Sequence, residues 1–426
     1  MSIADQITRL NNAKAAIKTS IENKGVTVSD SALLDEYPAL IDSIESGSGE
    51  GGGSGETYVN PDFYEIRTCG GTDYSYLFSN FKTITTLDLS NWDISKLTNV
   101  YYMFHYCDAP EINLSGWSFC NNINMEYFFG WSKIQKLDLS NWDISKLTNL
   151  NRIFYNSSVV SIDGLNHFDT SGVTNMAEMF YTCNKLTSLD LSNFDTSNVT
   201  SMRAMFKECY SLAELNLSSF DTSNVTDMSK IFYFCTGLTS LSVNHFDTSN
   251  VTNIRQAFYG LFIESLDLSN WNTSKVTDMY NTFFSCKNLI TLDISGWDTS
   301  KVTDIGGIVG NCNNLKTIIG EFDLSKSNNS HTTMFQNCNS LETVYIKNIY
   351  KDVTMTNASK WSINLGATKV KDECLISIIN ELPNLYDKGL TTTSSIVFTL
   401  PPTNTLTAEQ VQVAINKGWS VANTTY

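Results

Sequence analysis

Positive charge is scarce in this chain of 426 residues: Lys and Arg number 28 against 44 Asp and Glu, a net charge of −16. Phosphate backbones need a cationic face, so this balance argues against a nucleic-acid partner. It argues equally against docking on anionic lipid. Long apolar runs are missing as well, and none approaches the ~20 residues of a membrane-spanning helix. No membrane insertion is expected. The opening MSIADQITRLNNAKAA has no apolar core of the signal-peptide kind, so folding in a cytoplasm is the expectation. Histidines number four. No H-x-x-x-H, P-loop, G-x-S-x-G or C-x-x-C pattern occurs. Nothing assembles a nucleophile, a base and an orienting group, so no enzyme, catalytic residue or cofactor is expected.

What the chain does have is a repeat. An aromatic marker recurs at Trp92, Trp117, Trp142, Phe168, Phe194, Phe220, Phe246, Trp271, Trp297 and Phe322, at steps of 25 or 26. Before each marker, leucines alternate with a polar residue, as in Leu189-Asp190-Leu191. That two-residue period marks a strand with one buried face. Stacked, the strands predict one parallel sheet, about 45–50 Å long at about 4.8 Å per strand. After the marker, Asp-Thr-Ser hydrogen-bonds nearby backbone and holds a turn. Thr200 then reads as the N-cap of a short helical turn. Met202, Met205 and Phe206, three and four apart, are its buried face.

The cysteines obey the repeat. Cys107, Cys183, Cys209, Cys235, Cys286 and Cys312 each stand 15 residues after the marker, and Cys338 stands 16 after. Phe81, Ser132, Ser157 and Leu261 share this place. A position shared with Phe and Leu is a packing position, so buried free thiols are expected. His167 and His245 precede the marker, where Asn193 and Ser219 stand elsewhere, and read as surface turn residues.

Carboxylates form two ladders. Asp93, Asp143, Asp169, Asp195, Asp221, Asp247, Asp298 and Asp323 follow the marker and read as structural. Asp88, Asp138, Asp190, Asp267 and Asp293 share an outward strand position, which Asn113 and Asn216 fill in two other repeats. Together with Glu214, the residues Asp88, Asp138, Asp190, Asn216, Asp267 and Asp293 are the candidate ligand-binding set. Three readings stay open for this ladder: solvated carboxylates that accept turn or glycan hydrogen bonds, a divalent cation, and a glycan-cleaving pair. A glycosidase needs one pair in unlike environments, whereas this ladder is regular. Specificity is expected where repeats disagree: outward positions such as Lys136, Ser188, Glu214, Ser240 and Thr291, the turns at 117–131 and 155–168, and the C-terminal region.

Four segments follow. Residues 1–46 carry Ile3, Ile7, Leu10, Ile17 and Ile21 at heptad-like spacing and read as a helical anchor that oligomerises. Residues 47–56, containing GSGEGGGSG, are a flexible linker. Residues 57–347 are the repeat solenoid. Residues 348–426 are a small α+β cap: 369–386 place Cys374, Leu375, Ile378, Ile379 and Leu382 on one helical face, 394–401 read as a strand, and Thr407 with Gln410 form a capping box.

The string F-D-T-S-N-V-T-x-M-x-x-M-F-x-x-C-x-x-L-x-x-L-x-L-S resembles the BspA-like surface leucine-rich repeat of bacterial surface and bacteriophage fibre proteins. The resemblance covers about 72–347. Residues 7–44 resemble, less specifically, segments that open phage tail and virion fibre proteins, and 407–421 are similar to the end that often follows these repeats. The resemblance implies an α/β leucine-rich-repeat solenoid with one parallel sheet and short helical turns, and binding at cell surfaces. The expectation is a virion fibre, a dimer or trimer, assembled in the host cytoplasm. A virion structural protein would hold residues 1–46, and a host surface glycan or protein would be the target. The alternatives are a bacterial or microbial cell-surface adhesin and, ranked below it, a glycan-degrading enzyme.

Overall fold

The computed structural model describes residues 72–81, 86–90, 92, 94–119, 122–327, 331–352, 361–390 and 396–423. The expected anchor (1–46), the linker (47–56), the start of the solenoid segment and Asp93 lie outside the described residues.

The repeats coil into a parallel solenoid. Strands β1 (Thr86–Asp88), β2 (Glu111–Asn113), β3 (Lys136–Asp138) and β4 (Ser161–Asp163) form one parallel group. Strands β5 (Ser188–Asp190) and β6 (Glu214–Asn216) form a second, and β7 (Thr291–Asp293), β8 (Thr317–Asp323) and β9 (Thr343–Lys347) a third. Register advances one repeat per strand: Leu189 lies beside Leu215, and Leu292 beside Ile318. The single sheet expected from the sequence is thus interrupted twice. At the first gap, Gly164 (φ 91°) and a 3-10 turn, Leu165–His167, bend the chain straight after β4. A Cβ on Gly164 would lie 2.3 Å from the Ser140 amide nitrogen, so only glycine fits there. The second gap spans two coils: one in which Ser242 replaces the ladder's Asp or Asn, and the next, which keeps Asp267.

The short helical turn after the marker is absent. Ala204 (φ 52°) and Glu208 (φ 61°) are both left-handed, and their equivalents in other coils share that conformation, among them Arg152, Glu178, Lys230 and Gln256. A right-handed helix cannot pass through such residues. The amides alternate instead. Met202, Ala204, Phe206 and Glu208 donate to Asp227, Ser229, Ile231 and Tyr233 of the next coil, at 3.1, 2.8, 3.0 and 2.7 Å. Met205, Lys207 and Cys209 donate three residues back, to Met202, Ala204 and Phe206. Each left-handed residue costs about 1 kcal/mol, and these inter-coil bonds over-determine it. Thr200 caps nothing; its hydroxyl donates to the Thr174 carbonyl of the neighbouring coil at 3.2 Å.

The repeated side chains are absorbed by this architecture. Met202, Met205 and Phe206 are fully buried, as their spacing predicts. Phe154, Phe180, Phe206, Phe232 and Phe258 stack face to face at 5.4–5.9 Å through the core. The buried, free cysteines form a second ladder. Cys183, Cys209 and Cys235 donate their thiols to the carbonyls of Phe154, Phe180 and Phe206, one coil back. Thr196, Thr222 and Thr273, also buried, donate to the backbone of the next coil.

The cap is α+β, as expected. Strands β10 (Ile363–Asn364), β11 (Val397–Leu400) and β12 (Ser420–Asn423) are parallel. Helix α1 (Asp372–Glu381) buries Cys374, Leu375, Ile378 and Ile379 and packs on β9. Helix α2 (Ala408–Asn416) starts at the Thr407–Gln410 capping box.

Candidate functional site

The solenoid presents two ridges of chemistry: the strand ladder singled out from the sequence, and a turn ridge of which the sequence marked only the irregular turns 117–131 and 155–168.

On the strand ladder, Asp138, Asp190, Asp267, Asp293, Asn216 and Glu214 are exposed, and Asp88 is half-buried. Each Asp or Asn already has a structural task. Its Oδ1 accepts the amide two residues on: Asp88 from Ser90 (2.9 Å), Asp138 from Ser140 (3.0 Å), Asp190 from Ser192 (3.0 Å), Asn216 from Ser218 (3.2 Å), Asp267 from Ser269 (3.0 Å) and Asp293 from Ser295 (2.9 Å). Such Asx turns close the strand end. The Ser192 amide holds the Asp190 carboxyl below its ordinary value, as Ser140 and Ser269 do for Asp138 and Asp267. Burial opposes the same effect at Asp88, and the Ser90 hydrogen bonds prevail.

The Asp ladder after the marker does the same work, for example Asp195 with Ser197 and Asp221 with Ser223, both at 2.9 Å. A third series, Asn99, Asn175, Asp227, Asp278 and Asp304, closes the turn ahead of the left-handed residues. Asp227, Asp278 and Asp304 are therefore turn-forming acceptors. Among the described residues, no three His, Cys, Asp or Glu side chains converge as a metal site would require.

His331 makes a buried chain with Ser327 (2.8 Å) and Tyr350. Ser–His adjacency suggests a nucleophile and base, but all three side chains are fully buried. Burial holds the imidazole down at about 3 and pushes the Tyr350 phenol up, so both remain neutral. The trio ties the last coil to the cap, where His331 also bridges to Ile363.

The turn ridge lies around the left-handed residues, 9, 10, 13 and 14 places after the marker. Here the repeats disagree, and aromatic and charged groups collect. Tyr76, Tyr102 and Tyr127 stack at 5.2 and 4.6 Å. Trp131, Tyr155 and Tyr181 continue at 4.7 and 4.3 Å. Lys207 then takes the place of a ring, its Nζ 4.3 Å from the Tyr181 centroid and 5.2 Å from that of Tyr233. Tyr233, Tyr259 and Phe284 resume the stack at 4.6 and 5.2 Å. Burial raises the Tyr155 and Tyr233 phenols, which therefore stay protonated donors.

Ion pairs interleave with the rings. Arg152 reaches Glu126 (2.6 Å) and Glu178 (2.8 Å), and Arg203 also holds Glu178. Arg255 lies 4.1 Å from the Tyr280 centroid and pairs with Asp278 (3.4 Å) and Asp304 (3.3 Å). The chain has five arginines, and the three between residues 72 and 347 all lie on this ridge. That concentration was the signal available in the sequence. A helical turn, expected there, would scatter these side chains around an axis instead of aligning them.

A family model described as "Mycoplasma protein of unknown function, DUF285" matches residues 72–164, 148–263 and 236–349. The chain belongs to the DUF285 family. The DUF285 matches span the stretch whose strings resemble the BspA-like leucine-rich repeat, and end where the cap begins. No curated protein matches the chain. Two solved structures share 12% identity with this DUF285 chain. One is an internalin from Listeria monocytogenes, covering 81% of this chain and 88% of its own, with a TM-score of 0.16. The other is a leucine-rich-repeat protein from Leptospira interrogans, covering 86% and 100%, with a TM-score of 0.21. At such TM-scores the architecture of the DUF285 chain rests on its own hydrogen bonds.

Proposed function

We propose that this is a non-enzymatic binding protein that presents its solenoid to a surface glycan or protein. One observation carries the reading. The regular side chains of the repeat are consumed by the scaffold, while the turn ridge varies from coil to coil and presents half-buried rings, guanidinium groups and carboxylates. A rigid row of unlike groups at about 4.8 Å intervals suits an extended ligand. The exposed strand ladder, with Glu214 and the second oxygen of Asp138, flanks it as a second contact surface.

The setting we propose is a phage virion fibre: a homodimer or homotrimer held to a virion structural protein through residues 1–46. The heptad-like spacing of Ile3, Ile7, Leu10, Ile17 and Ile21 supports this reading. A second setting is a cell-surface adhesin; the family's description, of a Mycoplasma protein, favours a cellular setting over a virion. Fluorescently labelled full-length chain, incubated with candidate host cells, is expected to bind saturably and without releasing reducing ends. Release of sugar would replace the binding reading with an enzymatic one. Mass spectrometry separates the settings: the chain is expected in purified virions, and its recovery only from surface-labelled cells would select the adhesin.

A further inference from the structure

The centre of the turn ridge holds a cation that forms no ion pair among the described residues. Lys230 occupies the left-handed position of its coil (φ 58°). The bridges Ser201–Asp227–Asn253 set the register of three successive coils. They place Arg203 on one side of the Lys230 coil and Arg255 on the other, about 4.8 Å per coil away. Lys207 stands four residues beyond Arg203 on the same ridge. Ala204 and Ser229, both small and buried, keep the floor low beneath them. Tyr233 and Tyr259, stacked at 4.6 Å, form one wall.

The other cations here have carboxylate partners: Arg152 and Arg203 with Glu178, Lys207 with Glu208, Arg255 with Asp278 and Asp304. Among the described residues no carboxylate lies within ion-pairing distance of Lys230. Its ammonium is held below its ordinary value by burial first, and then by Lys207, Arg203 and Arg255, which outweigh the opposing Glu178.

We infer that the surface around Lys230, flanked by Arg203, Arg255, Tyr233 and Tyr259, binds a carboxylate of an acidic oligosaccharide. The inference rests on the binding function proposed above and names its ligand class. The ridge already shows the recognition in its own ion pairs, where guanidinium groups grip carboxylates between tyrosines. A uronate supplies the carboxylate that Lys230 lacks. Its hydroxyls meet the protonated phenols, and neighbouring sugar units extend along the same row.

The test uses the full-length chain, an oligogalacturonate, its fully methyl-esterified form and a sulfated oligosaccharide of similar length, in calorimetric titrations at low salt. Lys230→Asn removes the cation at little backbone cost, because Asn tolerates the left-handed region. Arg203→Gln with Arg255→Gln is a second variant, and thermal melts verify that both fold. The expected result is binding of the oligogalacturonate, at least tenfold weaker binding of the ester, and at least tenfold weaker binding by either variant. Equal binding of acid and ester, or an unchanged affinity in folded Lys230→Asn, overturns the inference. Preference for the sulfated probe overturns the carboxylate assignment. Cell binding is measured in parallel. Cells bound without uronate binding would reject this site and leave the binding function standing, whereas uronate bound without cell binding would do the reverse.

Discussion

Arg152 and Glu178, one coil apart, meet through Nε and Oε2 at 2.8 Å, and Glu178 is the hub of the turn ridge. Its side chain is only 7% exposed and serves Arg203 as well. Burial alone would raise its carboxyl; Arg152 and Arg203 reverse that and hold it below its ordinary value.

Glu178→Gln leaves two guanidinium groups without their shared partner. The expected cost is about 2 kcal/mol, below that of a fully buried pair because both arginines are partly solvated. Because the folded-state value is depressed, this stabilisation is present above the ordinary value of 4.5 and is lost as pH falls below it. Urea midpoints of the native chain and the variant should converge in acid. A constant gap between them from pH 7 to pH 3 would contradict the assignment.

Gln256 tests the backbone. Its φ of 57° is left-handed, and its amide donates to Tyr280 of the next coil at 2.9 Å. Gln256→Gly is expected to be more stable than Gln256→Ala by about 1 kcal/mol, since only glycine enters this region without strain. Were the segment helical, alanine would win by a similar margin. The order of the two melting temperatures decides between the conformations.

His331 links the cap to pH. Its folded-state value of about 3 lies below the ordinary 6.5, so the unfolded chain takes up the proton first. Stability should be insensitive to this group above about 6.5 and decline between 6.5 and 3, by up to about 1.4 kcal/mol per pH unit. Below about 4 the turn-closing aspartates add a further loss. His331→Gln should flatten the upper part of the profile when followed by tryptophan fluorescence, because Trp361 packs beside Tyr350 at 4.0 Å. An unaltered profile in the variant would assign the upper loss elsewhere.

The thiol ladder should be inert. Burial pushes Cys209 up to about 12, and it raises Cys183 and Cys235 too. Iodoacetamide at pH 8 is expected to leave Cys183, Cys209 and Cys235 unmodified in native protein and to label all three in urea. Native labelling detected by mass spectrometry would place these thiols nearer solvent. Serine should be tolerated at the same place, since Ser132 and Ser157 occupy it and hydrogen-bond each other at 3.2 Å.

The sequence by itself determined which side chains face inward. A solenoid gives every coil the same neighbours, so periodicity along the chain is already a statement about burial, and Leu189, Phe194, Met202 and Cys209 sit where the repeat placed them. The cap helix with its capping box was equally legible, because its signals are local. Tertiary structure alone decided the backbone between marker and cysteine. Met202, Met205 and Phe206 have helical spacing, yet Ala204 and Glu208 are left-handed because their amides bond to the next coil, an energy that no local propensity contains. It also decided the candidate site. Arg203, Lys230 and Arg255, about 26 residues apart in the chain, become neighbours only when coils stack. The strand-ladder aspartates show the converse: their oxygens looked free in the sequence, and folding commits one oxygen of each to its own turn.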